Sequence, residues 1–278
     1  RDGAWDRRGM VVGNVQAGKT ENYTGVLTKA ADAGYKLIII LTGGHENLRC
    51  QAQLRLNEEF IGYDIGGQDE RIIGVRQMFK DHNKVFTLTT RAEKGDFSKR
   101  VMQGAYTVPT MESPPFLLIT KKSTPILKNI IAWTDYFSFE TQEGRKIVKD
   151  IPLLLIDDEC DYASVNTKKT KRDTSGKIKD DWDPSATNKL IRELLHRFEK
   201  KVYLAYTATP YANIFIKKNN YHPKYGEDLY PRHFLINLPQ SQSYLGAETL
   251  FGLEGDEDQD IEEVEALPLI RDVKDNEP

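Results

Sequence analysis

Apolar residues in this chain gather into short unbroken runs instead of alternating with polar ones. Met10-Val11-Val12, Leu37-Ile38-Ile39-Ile40-Leu41, Phe116-Leu117-Leu118-Ile119 and Leu153-Leu154-Leu155-Ile156 are the clearest, and segments of helical periodicity lie between them. A run that is apolar at successive positions reads as a strand covered on both faces, as strands of a parallel sheet are. The pattern predicts strands at 10–13, 35–41, 85–89, 116–120, 153–156 and 202–206. It predicts helices at 20–33, stopped by Gly34, and at 47–60. A third has Thr124 as N-cap, Pro125 as its first helical residue and its end near Tyr136. The fourth, 185–200, carries Leu190, Ile191, Leu194, Leu195 and Phe198 on one face. Strands and helices in alternation give an α/β fold, a mainly parallel sheet flanked by helices. No internal repeat interrupts it.

Two stretches depart from this texture. Residues 167–183 are rich in Lys, Arg, Asp, Thr and Ser and nearly free of apolar residues, the composition of a long surface loop. Beyond Lys217, Tyr, His, Pro and Gly dominate, followed by the acidic run 254–263. The expected division is therefore a lobe over 1–216 and a connector, or the start of a next domain, over 217–278. The chain opens on Arg1 with no initiating Met, as expected of a piece of a longer protein.

The chemistry starts between the first strand and the first helix. Gly13-Asn14-Val15-Gln16-Ala17-Gly18-Lys19-Thr20 is a complete G-x-x-x-x-G-K-T phosphate-binding loop. Its glycines let the backbone turn tightly and aim N–H groups at phosphates. Lys19 is expected on the β- and γ-phosphates, and the Thr20 hydroxyl on Mg²⁺. The helix N-terminus adds its dipole. The expected ligands are thus ATP and Mg²⁺.

A phosphate loop alone does not separate kinases, switches and motors, so the second signal decides more. The strand 153–156 ends in Asp157-Asp158-Glu159-Cys160-Asp161. A bound cation is the simplest reason to gather four carboxylates within five residues. We assign Asp158 to the metal and Glu159 to the attacking water, as orienter and base. The third signal is Tyr206-Thr207-Ala208-Thr209-Pro210 at the end of the next strand, where Thr207 and Thr209 are placed to bridge the Mg²⁺ and water cluster to a neighbouring lobe.

Composition changes the picture little. At 278 residues and 39% apolar content the chain can bury a core, and its net charge of −3 describes no basic cloak for nucleic acid. Cys50 and Cys160 have no paired metal spacing and suit a reducing cytoplasm. No apolar run approaches the ~20 residues of a membrane span. The five histidines share no metal-ligand spacing, and no carboxylate set separate from the ATP site exists to support a nuclease.

Taken in order, the three signals resemble the first RecA-like lobe of superfamily 2 helicases and translocases. Leu48-Arg49-Cys50-Gln51 is similar to the Leu-x-x-Gln element that opens the strand-binding face of such enzymes. Ile119-Thr120-Lys121-Lys122 looks like the next nucleic-acid-contacting element. More narrowly, the phosphate loop, the acidic strand and 206–215 look like the Z-one domain family. That family comprises superfamily-2-like, endonuclease-associated ATPases of prokaryotic restriction and phage defence. The likeness continues through Leu229-Tyr230-Pro231-Arg232 and Tyr244-Leu245-Gly246. Ala17 stands where these loops often carry Ser, and Cys160 where the acidic motif often carries Ala.

The resemblance implies an ATP-driven step on nucleic acid, DNA first, with Arg49, Gln51, Lys121 and Lys122 on the strand-binding face. It also implies a second RecA-like lobe in the full-length protein and, in a defence system, a protein partner. A second lobe supplies the arginine finger, worth ~10³–10⁵ in rate, so this piece is expected to bind nucleotide and turn it over slowly. A rival reading is an ATP-dependent switch that gates a partner protein without translocating. A small-molecule kinase is disfavoured by the Glu after Asp158 and by the lack of a lid.

Overall fold

The structure is a computed structural model that describes residues 3–14, 17–64, 71–79, 84–105, 107–166, 168, 184–217, 221–222, 224–239, 247–255 and 263–268. Seven strands form one sheet: β1 (Trp5–Val12), β2 (Leu37–Thr42), β3 (Phe86–Thr87), β4 (Phe116–Lys121), β5 (Leu153–Asp158), β6 (Lys200–Thr207) and β7 (Phe234–Asn237). Their order is β7-β1-β6-β5-β2-β4-β3 and every pair is parallel. The main helices are α1 (Lys19–Asp32), α2 (Glu46–Leu56), α3 (Lys99–Gly104), α4 (Thr124–Thr134) and α5 (Ala186–His196). The fold class is α/β, consistent with a RecA-like lobe.

Both faces of the sheet are covered, which explains the unbroken apolar runs. On one face Ile38, Ile40, Leu117, Ile119, Leu154 and Ile156 pack with Tyr23, Leu27 and Ala30 of α1 and with Leu56 and Phe60. On the other, Leu37, Ile39, Leu118, Leu153 and Leu155 meet Leu127, Ile130 and Trp133 of α4 and Leu190, Ile191 and Leu194 of α5. Successive residues of one strand point to opposite faces, so a central strand needs an apolar side chain at every position.

The structure adjusts several expected boundaries. The helix expected over 47–60 is α2 followed by a π-helical turn, Asn57–Ile61, closed by Gly62 at φ 79°. Ser123, not Thr124, precedes α4, and neither side chain caps it. The compact unit extends to Leu238, because β7 pairs with β1 along Gly9 to Val12. Gly9 is required there: a Cβ on it would lie 2.0 Å from the Phe234 ring. Residues 239–278 form a second unit, in which Ala247–Phe251 is helical and Leu253 bridges Val264. Most of the predicted loop 167–183 and acidic residues 256–262 lie outside the described residues. Among the described residues no helix is long and apolar enough to cross a membrane.

Candidate active site

Parallel strands deliver their following loops to one edge of the sheet, where ligands of such folds bind. Register brings the three motifs to that edge side by side. Val11 of β1 lies opposite Tyr206 of β6, and Tyr206 opposite Asp158 of β5. Leu41 of β2 is level with Asp157 on one side and Thr120 on the other.

The phosphate loop leaves β1 at Gly13, whose N–H donates to the Thr207 carbonyl at 3.1 Å. A Cβ on Gly13 would sit 3.1–3.4 Å from Leu238, Lys19 and Ala17, so the backbone turn is filled to contact. Gly18 caps α1 at φ 71°, in the left-handed region that glycine adopts freely. Asn14, Ala17 and Gly18 lie between β1 and α1, and Lys19 and Thr20 open α1; Val15 and Gln16 lie outside the described residues. The Lys19 ammonium folds across the loop and donates to the carbonyls of Gly13 and Asn14, each at 2.9 Å. Tyr206 ties α1 down by donating to Asn22 at 2.7 Å.

The four carboxylates of the acidic strand end have separate surroundings. Asp157 is fully buried; Tyr203 donates to its Oδ2 at 2.6 Å, and Lys122 Nζ lies 3.0 Å from its Oδ1. Asp161 accepts from Thr207 at 2.6 Å and from Thr209 at 2.9 Å. The threonines placed by sequence on the nucleotide cluster therefore commit their hydroxyls to Asp161, a partner that the motif pattern did not reveal. Asp158 is partly buried and accepts from the Glu159 N–H at 3.1 Å. Burial and the adjacent Glu159 charge push its carboxyl up to about 6, while Lys122 and Lys19 pull the other way. That influence of Lys19 sets the phosphate loop and the acidic tip within electrostatic reach of each other.

Glu159 is exposed and sits at φ 53°. A non-glycine residue in this left-handed conformation costs ~1–2 kcal/mol. The sharp turn aims its carboxylate over the loop between β2 and α2. A Cβ on Gly43 would lie 2.3 Å from Glu159 Oε2, and one on Gly44 would lie 2.5 Å from the Tyr162 hydroxyl. These two glycines are functional candidates missed in sequence, although a Gly-Gly pair following an apolar strand is the same punctuation as the phosphate loop.

The residues expected on a nucleic-acid face do not all reach a surface. Arg49 is buried: its guanidinium holds Glu46 at 2.6 Å and the carbonyls of Thr90 and Ala92 at 2.7 Å each. Lys122 is buried as well, donating to the Asp158 carbonyl at 2.6 Å and to the Glu159 carbonyl besides its pairing with Asp157. Charges enter an interior only where such partners replace water, and here carbonyls and carboxylates do so. Both assignments are therefore corrected: these side chains fasten loops and are not free to meet a phosphate backbone. Gln51 is exposed, and Lys121 is partly exposed and paired with Glu46 at 2.6 Å. The basic run 168–172 lies, apart from Lys168, outside the described residues.

Among the described residues no group of three or more His, Cys, Asp or Glu side chains is arranged to hold a metal unaided. Mg²⁺ does not require one, since it keeps several waters and takes one or two protein oxygens plus phosphates. Thr20 and the enclosed Asp158 carboxyl fit that donor set. Known protein-family models and curated proteins offer no match to the chain.

Proposed function

We propose that this chain is the ATP-binding lobe of a superfamily-2-like, nucleic-acid-dependent ATPase, of the kind found in prokaryotic defence or restriction and working in the cytoplasm. The observation that carries the reading is the convergence of a phosphate loop, an acidic strand tip and a Thr-Ala-Thr tip on neighbouring strands of one parallel sheet. Loop N–H groups and Lys19 bind the phosphates. Thr20 and Asp158 would hold Mg²⁺, which when bound offsets phosphate charge. Glu159, exposed and turned toward the Gly43 loop, takes the proton of the attacking water. Thr207 and Thr209 act through Asp161, fixing the loop that follows the acidic tip. Free Cys50 and Cys160 suit a reducing compartment. Calorimetry should detect Mg²⁺-dependent ATP binding; its absence removes the reading.

The rival, a nucleotide switch that gates a protein partner, is favoured by the burial of Arg49 and Lys122, which thins the expected basic face. Lys121 decides between them. If it contacts a phosphate backbone, Lys121→Ala should lower the salt slope of binding by ~0.9 on duplex DNA or ~0.7 on a single strand. It should also reduce nucleic-acid stimulation of ATP turnover. An unaltered slope together with no stimulation of the wild-type protein would leave the switch.

A further inference from the structure

Lys122 is a buried cation that the ATP site does not use directly, yet it touches three successive residues of that site. Its Nζ lies 3.0 Å from Asp157 Oδ1 and 2.6 Å from the Asp158 carbonyl, and it also donates to the Glu159 carbonyl. Its own N–H donates to Thr42 at 3.3 Å, the residue before the Gly43 that faces the Glu159 carboxylate. Glu159 is thus held from two directions. Lys122 grips the peptides on either side of its α-carbon, and the main chain of Lys122 fixes the loop against which the carboxylate rests.

We infer that Lys122 is a positioning residue for Glu159, holding it in its left-handed turn and linking its aim to the loop between β4 and α4. An ammonium supplies three donors; here two go to carbonyls of the acidic tip, and the charge pairs with Asp157 Oδ1 at 3.0 Å. Lys121 ends β4, directly before Lys122, and pairs with Glu46 on α2, so a partner that displaces Lys121 pulls on the grip that aims Glu159. The acidic tip then senses what docks on this loop without any docking residue touching nucleotide. The regulatory part rests on the ATPase reading; the grip itself does not.

Lys122→Met alone leaves Asp157 charged and buried, which threatens folding. The test therefore uses Lys122→Met with Asp157→Asn, which removes the grip and keeps the interior neutral. Hydrogen exchange is expected to speed up at least tenfold at the amides of Glu159, Cys160 and Tyr162, while β2 and β4 keep their protection. ATP affinity is expected to stay within about threefold and turnover to fall ~10–100-fold. Adding Glu159→Gln should then cost little more, because both changes act through one group. Unchanged exchange at the acidic tip would overturn the inference whether or not the protein hydrolyses ATP. Losses fully additive with Glu159→Gln would overturn the link to catalysis. Failure of the wild-type protein to bind ATP would strike the ATPase reading instead, with the exchange data still deciding the grip.

Discussion

Lys19→Ala is expected to lower ATP affinity by well over tenfold, to the limit of calorimetric detection, with the fold intact. Hydrogen bonds from a charged donor contribute ~1.5–3 kcal/mol each, and phosphates are the acceptors that gain most from an ammonium. Among the described residues that ammonium is held by the loop carbonyls of Gly13 and Asn14. Bonds of this kind exchange readily for phosphate oxygens at the same loop. Removing the side chain leaves those carbonyls to water, so thermal unfolding should move little. Equal ATP affinity in wild type and variant would overturn the assignment of the loop.

Glu159→Gln is the second large effect, and its signature is different. Turnover should fall ~10²–10⁴-fold, the usual worth of a positioned general base, while ATP still binds within about threefold of wild type. The other carboxylates of the cluster are poor substitutes. Asp157 is held by Tyr203 and Lys122, and Asp161 by Thr207 and Thr209. Asp158 is enclosed and assigned to the metal. Gln keeps the shape that fits beside Gly43, so the change tests charge and basicity alone. Wild-type turnover would mean that another group activates water.

The sequence reveals most where chemistry or burial acts locally. The strands expected at 35–41, 116–120 and 153–156 were readable, the first beginning two residues later at Leu37, because a central parallel strand needs apolar residues at every position. β7 was not: its four residues are exposed at the sheet edge and follow a Pro- and Tyr-rich stretch. That residues 13–20, 157–161 and 206–210 follow strands was likewise legible, because each segment comes directly after an apolar run, and the register brings all three to one edge of the sheet. The fates of Arg49 and Lys122 were hidden, since a Lys in sequence carries no mark of which carbonyls will receive it. The acceptors of Arg49 on the 90–92 loop and those of Lys122 on the acidic tip lie roughly 40 residues away along the chain. The role of Asp161 was hidden for the same reason, because its two hydroxyl donors come from the next strand.

On the proposed ATPase reading, the left-handed backbone at residue 159 makes this position a place where durability and activity pull apart. Gly and Asn would accept φ 53° with little or no penalty, yet neither offers a carboxylate. Drift toward either residue would leave the protein as robust as before, or more so, and silent. Selection for heat resistance alone, applied to a library at this site, should therefore enrich Gly or Asn over Glu. A screen that also demands ATP turnover should return Glu. Thermal tolerance and chemistry would then be improved by opposite choices at a single residue.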